Sequence, residues 1–308
     1  MKVLFWGTPE FAVPALRALT EEGQEVVGVV TQPDRRAGRG LAVAASAVKK
    51  VALAEQIPVL QPEHAHGEEF LAAIQALEPD ISVVVAYGQI LKPEVLAVPR
   101  LGSVNIHASL LPDLRGAAPI HWAIIRGYQT TGITIQRMEK GLDSGPILYQ
   151  VTDPIQPDES MSELAERLAE IGAEAIIEAV ALLENGSLAE RPQDHERATY
   201  APKLDRETAR LDWRLPATNL SCWIRGLDAA PGAWSELHSQ PVKLFAPTIE
   251  SAAGAPGEVL EVDDERGPLI GTGEGSLRIG QAQPAGKRRM TGGDWVRGRG
   301  VRVGERLA

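Results

Sequence analysis

Cysteine is nearly absent: Cys222 is the only one among 308 residues, so no internal disulfide can form. It shares no CxxC or HExxH spacing with the six scattered histidines, and no structural metal is expected. Long apolar runs are missing too, none approaching the roughly eighteen residues that a membrane-spanning helix needs. Met1 and Lys2 are followed only by Val3–Trp6 before Gly7, too short for the apolar core of a secretory signal, so a cytoplasmic protein is expected. Neither GxGxxG nor a P-loop follows the first predicted strand, where Gly7-Thr8-Pro9-Glu10 stands instead, which argues against NAD and ATP as cofactors. Positive charge is in deficit: 31 Lys and Arg against 41 Asp and Glu leave a net charge of -10, which speaks against nonspecific nucleic-acid binding by the whole surface.

What is present looks globular, with 44% hydrophobic and 23% charged residues, and the length favours two domains. The end of the chain is locally basic, carrying Lys287, Arg288, Arg289, Arg297, Arg299, Arg302 and Arg306 against Asp294 and Glu305.

The first half alternates β-rich runs with helical patterns, as a parallel sheet covered by helices does. Strands are predicted at residues 2–6, 26–31, 81–86 and 104–107, and helices at 12–22, 45–56 and 68–77. Further strands fall at 132–138 and 147–151, followed by a long amphipathic helix over 160–183 that opens on a Ser160/Glu163 capping box. The fold class is therefore α/β with a doubly wound, mostly parallel sheet. Periodicity then lapses around Pro192 and Pro202. We divide the chain into a first domain at 1–187, a linker at 188–203 and a second domain at 204–308, where short apolar runs between Gly and Pro turns suggest a small β-barrel or sandwich.

The strand ending Val104-Asn105-Ile106-His107 places Asn105 and His107 on one face, because side chains alternate along a strand. Ligands of open parallel sheets bind beyond the carboxyl ends of the strands, and this pair stands at such an end. A strand-end histidine can also be a buried group bonded to backbone, and the neighbouring Asn weighs against that plainer role. The loop that follows carries Leu110 and Leu111, apolar residues unusual in a mere connection. Further on, Gly141-Leu142-Asp143-Ser144-Gly145 presents a carboxylate from a turn.

The segments NIHASLLPDLRGAAPI (105–120) and GLDSGPIL (141–148) resemble the signatures of the 10-formyltetrahydrofolate-dependent formyltransferases. The resemblance implies a Rossmann-like catalytic domain and assigns Asn105, His107 and Asp143 to the catalytic trio. It places Ser109, Leu110, Leu111 and Pro112 in the folate-binding segment, and Gln89, Ile90 and Leu91 against the pterin. GTPEFAVPAL (7–16) and TQPDRRAGRG (31–40) resemble the branch of the family that formylates methionine on initiator tRNA. That likeness implies an OB-like second domain and RNA contacts from Arg35, Arg36 and Arg39 in an inserted loop, and from Lys287, Arg288 and Arg289 near the end. Formylfolate and initiator methionyl-tRNA are the expected substrates.

Formyl transfer needs donors to the oxygen that gains negative charge and a group that handles the amine proton. Asn105 is suited to the first task. His107 could act as a second, charged donor favoured by Asp143, or as a neutral base. Formylation of a small amine, or an RNA-binding protein without activity, are the competing readings. The intact trio weighs against the second.

Overall fold

A computed structural model describes residues 1–37 and 42–308, with the side chains of 36, 37, 42 and 43 also undescribed. Arg39, expected to contact RNA, lies outside the described residues, as does the Arg36 side chain. The chain divides into two compact units. One comprises Met1–Gly116, Thr131–Asp153 and Ala165–Tyr200; the other comprises Ala117–Thr130, Pro154–Leu164 and Ala201–Ala308.

In chain order the elements begin with β1 (Lys2–Gly7), α1 (Val13–Glu21) and β2 (Glu25–Val30). The β3 (Arg35–Ala37) and β4 (Ala42–Ala44) strands pair with each other as an antiparallel hairpin. There follow α2 (Ala47–Ala54), β5 (Val59–Leu60), α3 (Glu68–Gln75), β6 (Ile81–Val85), α4 (Pro93–Leu96) and β7 (Ser103–His107). After α5 (Pro119–Ile125) come β8 (Thr130–Arg137), β9 (Ile147–Pro154) and α6 (Met161–Glu184). The sheet order is β5-β2-β1-β6-β7-β8-β9. The pairs from β5 through β7 are parallel, and β8 runs antiparallel to β7.

Strand order reverses at β1, since successive strands lie on one side up to β5 and on the other from β6. A crevice beyond the carboxyl ends at such a switch is where ligands enter this architecture. One face of the sheet buries Leu4, Trp6, Val30, Val84 and Tyr87 with Ile74 and Val95 of the covering helices. Trp6 reconciles its indole with that core by donating to Ser82 Oγ at 3.0 Å. The capping box forms at the start of α6: Glu163 Oε2 accepts from the Ser160 amide at 2.9 Å, and the Glu163 amide points back at Ser160 Oγ, 3.4 Å away.

The second unit contains α7 (Ala217–Gly226), β10 (Trp234–Leu237), β11 (Gln240–Glu250), β12 (Val259–Asp263), β13 (Gly267–Gly271), β14 (Ser276–Pro284), β15 (Met290–Thr291) and α8 (Gly292–Arg297). Its sheet is antiparallel in the order β10-β11-β14-β13-β12, the smaller β unit expected after the α/β sheet. The core collects Leu220, Leu244, Ile270, Leu277 and Trp295 together with Ile125 of α5. α5 and α7 approach so closely that a Cβ on Gly226 would stand 2.7 Å from Ile125 Cγ1. Among the described residues no helix is long and apolar enough to cross a membrane.

Candidate active site

Asn105 and His107 occupy the last turns of the pleat in β7, with Asn105 opposite Val84 of β6 and Gln136 of β8, and His107 opposite Thr134. His107 is buried, and its Nε2 lies 3.0 Å from the Leu114 carbonyl oxygen. A carbonyl only accepts, so Nε2 carries the proton. Nδ1 is the remaining ring nitrogen, and it faces Asp143 Oδ2 at 3.7 Å. The backbone bond that a structural histidine would make is thus present, and it fixes which nitrogen meets the carboxylate. The Asn105 amide is half-buried and makes no side-chain hydrogen bond among the described residues, so it is available to a ligand.

Asp143 sits in the turn before β9 with φ of +46°, a left-handed conformation that costs a non-glycine residue energy. Its Oδ2 accepts from the Gly116 amide at 2.8 Å and its Oδ1 from Gln136 Nε2 at 2.9 Å. The turn lies hard against the end of β8: a Cβ on Gly145 would be 2.0 Å from the Arg137 carbonyl oxygen. Sequence reasoning found the carboxylate but missed Gln136. The signal was there, because Thr134 and Gln136 fall two apart on one face of the strand, alternating with Ile133 and Ile135, and both are buried.

The loop 109–112 is held by its own polar groups. Ser109 Oγ donates to the Asp113 carbonyl at 2.5 Å. Thr134 Oγ1 donates to the Ser109 carbonyl at 2.6 Å and accepts from the Leu111 amide at 3.1 Å. Leu111 is buried, whereas Leu110 and Pro112 are half-buried. Gln89 likewise turns inward, accepting from the Ala65 amide at 3.2 Å and donating to the Glu63 carbonyl at 3.1 Å. Leu91 belongs to the core, while its neighbour Ile90 is 89% exposed.

These features suit a small-molecule ligand. An exposed isoleucine stands beside Gly88, where an added Cβ would meet only Gln32 Cγ at 4.0 Å, and an unengaged amide lies at the neighbouring strand end. Such a mixture of apolar surface and few polar groups is typical of small-molecule sites. A cleft of about 830 Å³ between α1 and α6 contains none of the trio.

The expected RNA-contacting residues fall in two places. Arg35 is exposed in the β3–β4 hairpin, where its Nη2 donates to Gln32 Oε1 at 3.3 Å. Lys287 and Arg288 are exposed in the turn after β14. Arg289 differs from both: its Nη1 and Nη2 donate to Asp228 at 2.7 and 2.9 Å, its Nε donates to Gln281, and its guanidinium lies 3.8 Å over Phe245. Its donors are directed into the second unit itself.

Comparison with known proteins identifies the family. Residues 1–180 match the family model "Formyl transferase", and residues 203–300 match "Formyl transferase, C-terminal domain". The chain is 46% identical to the methionyl-tRNA formyltransferase of a Synechococcus species, covering 100% of this chain and 98% of that one. It is also 46% identical to that of Aromatoleum aromaticum, covering 100% and 97%. Among solved structures, a methionyl-tRNA formyltransferase from Clostridium thermocellum shares the fold at 14% identity with a TM-score of 0.57, covering 81% of this chain and 94% of its own. An N-formyltransferase from Helicobacter canadensis, solved with folinic acid and dTDP-3-aminofucose, does so at 16% with a TM-score of 0.66, covering 92% and 99%. The chain belongs to the methionyl-tRNA formyltransferases, a branch of the formyl transferase family.

Proposed function

We propose that this chain transfers the formyl group of 10-formyltetrahydrofolate to the amino group of methionine carried by initiator tRNA, in the cytoplasm. The observation that carries the proposal is the meeting, at one strand end, of the available Asn105 amide, a His107 ring with only Nδ1 uncommitted, and the Asp143 carboxylate. The folate donor supplies a formyl carbon open to attack by an amine. Asn105 donates to the formyl oxygen as negative charge develops there. His107 takes the amine proton at Nδ1, because Nε2–H is engaged by Leu114, and returns a proton to the departing nitrogen. Asp143 stabilises the imidazolium formed in between, the role an acidic partner plays beside a general base.

The pterin lies against Gln89, Ile90 and Leu91 of the segment 87–91, and Ser109, Leu110, Leu111 and Pro112 shape the wall nearer the formyl group. RNA is held by local basic groups on an acidic protein: Arg35, Arg36 and Arg39 of the sequence segment 31–40, and Lys287 and Arg288 near the end, whose turn Arg289 anchors. Residues 1–187 carry the chemistry, and residues 204–308, beyond the 188–203 connection, contribute to RNA binding. Incubating the protein with 10-formyltetrahydrofolate and either methionyl-tRNA or free methionine tests the reading. Formyl incorporation into the charged tRNA alone is expected, and equal use of free methionine would refute it.

A further inference from the structure

Arg115 stands between the two backbone groups that hold the His107–Asp143 pair. The preceding carbonyl, of Leu114, accepts from His107, and the following amide, of Gly116, donates to Asp143. The Arg115 side chain is 3% exposed, yet among the described residues it meets no carboxylate. Its Nε and Nη2 instead donate to Gln193 Oε1 at 3.1 and 2.6 Å, and Nη2 also donates to His195 Nδ1 at 3.0 Å. From the other end of its amide, Gln193 Nε2 donates to the carbonyls of Asp143 at 2.9 Å and Gly145 at 2.7 Å.

A buried guanidinium is better compensated by a carboxylate than by a neutral amide, so the choice of partner requires a reason. The reason is geometric. A carboxylate at 193 could accept from Arg115 but could not donate to the two carbonyls of the turn, whereas an amide does both at once. The segment around Pro192 lacks periodicity and would pass for a mere connection, but it inserts this buried glutamine beneath the strained Asp143 turn.

We infer that Arg115 and Gln193 form a clamp that sets the position of Asp143 relative to His107, and that both are positioning residues for formyl transfer. This rests on the reading of His107 and Asp143 as the catalytic pair. The clamp ties the loop 114–116, which orients both groups through its backbone, to the turn 143–145 through one shared amide.

Gln193→Glu keeps an acceptor for Arg115 while removing the donor to the turn, and Gln193→Met removes both at similar volume. In whichever of the two folds by circular dichroism, kcat for methionyl-tRNA should fall by about tenfold to hundredfold, the scale of misplacing a reacting group by about 1 Å. KM for both substrates should stay within about twofold, and the pH dependence of kcat should shift as the carboxylate moves relative to the imidazole. Arg115→Lys should give the same pattern, and the double variant should be no worse than the poorer single one, as expected of residues acting as a unit. A folded Gln193 variant with parental kcat, or one whose kcat falls with an unmoved pH profile, overturns the clamp. Asp143→Asn in the same assay separates the two failures: if it keeps parental turnover, the reading of the site is wrong, and if it is inactive while Gln193→Glu is not, only the clamp is wrong.

Discussion

His107 Nε2 donates to the carbonyl oxygen of Leu114 across 3.0 Å, and this one bond decides which face of the imidazole can do chemistry. The other nitrogen, Nδ1, looks toward Asp143 at 3.7 Å, beyond hydrogen-bond length. We expect ¹⁵N NMR of the free protein to show the Nε2-protonated tautomer at high pH. A signal from the Nδ1-protonated tautomer would remove Nδ1 as the proton acceptor.

Replacing any one of the trio should separate chemistry from folding. Asn105→Ala, His107→Ala and Asp143→Ala should each lower single-turnover formylation by at least about a hundredfold, the usual loss of an oxyanion donor or acid–base group. Far-ultraviolet circular dichroism should be unchanged for Asn105→Ala, whose amide has no protein partner among the described residues. Near-parental turnover in a folded variant would strike that residue from the catalytic set.

The contact between the Asp143 turn and β8 has no room for a methyl group. In Gly145→Ala the new Cβ would begin 2.0 Å from the Arg137 carbonyl oxygen, so the turn must shift and carry Asp143 with it. A loss of about 1–3 kcal/mol in stability, as for other overpacked sites, should accompany a loss of turnover. Chemical denaturation and steady-state kinetics on the same preparation measure both, and unchanged activity would show that Asp143 tolerates displacement.

Tyr87 should make the protein sensitive to alkali. Burial in the core beside Trp6 pushes its phenol up to about 12 from 10.0. The folded state therefore holds the proton after the unfolded chain has released it, and stability present below pH 10 declines between about pH 10 and 12. Two units correspond to about 2–3 kcal/mol. Since no group among the described residues pairs with the buried hydroxyl, Tyr87→Phe should match or exceed the parent at pH 7 and lose less stability over that alkaline range. Parallel urea titrations at pH 7 and 11 would decide, and identical alkaline losses in both proteins would exclude Tyr87 as their source.

Among the basic residues, salt dependence should sort contact from scaffold. Each true phosphate contact contributes about 0.7 to 0.9 to the slope of log affinity against log salt. Lys287→Ala and Arg288→Ala should flatten the slope by that amount with little effect on stability. Arg39→Ala should lower turnover as well as affinity, if the loop positions the reacting amine. Arg289→Ala should instead cost about 1–3 kcal/mol of stability, because Asp228 is left buried with its two hydrogen bonds broken. A salt slope that responds to Arg289 while stability does not would reverse this assignment.

The sequence by itself determined the local elements and the identities of the reactive groups. The strand at 104–107 was legible as the alternation of apolar Val104 and Ile106 with polar Asn105 and His107, and the Ser160/Glu163 box announced the helix that begins at Met161. These signals are local: they depend on spacing along the chain, which a sequence displays directly. Only the tertiary structure decided how the polar groups are partnered. That Gln136 and Gly116 hold the Asp143 carboxylate, that Leu114 selects the His107 tautomer, and that Gln193 joins Arg115 to the Asp143 turn are contacts between segments up to 78 residues apart. The same holds for α5, whose Ile125 joins the core of the C-terminal unit, and for Arg289, whose guanidinium meets Asp228 and Phe245. A residue's chemistry is written in its side chain, but its hydrogen-bond partner is set by which backbone and side-chain groups the packed fold brings within about 3 Å.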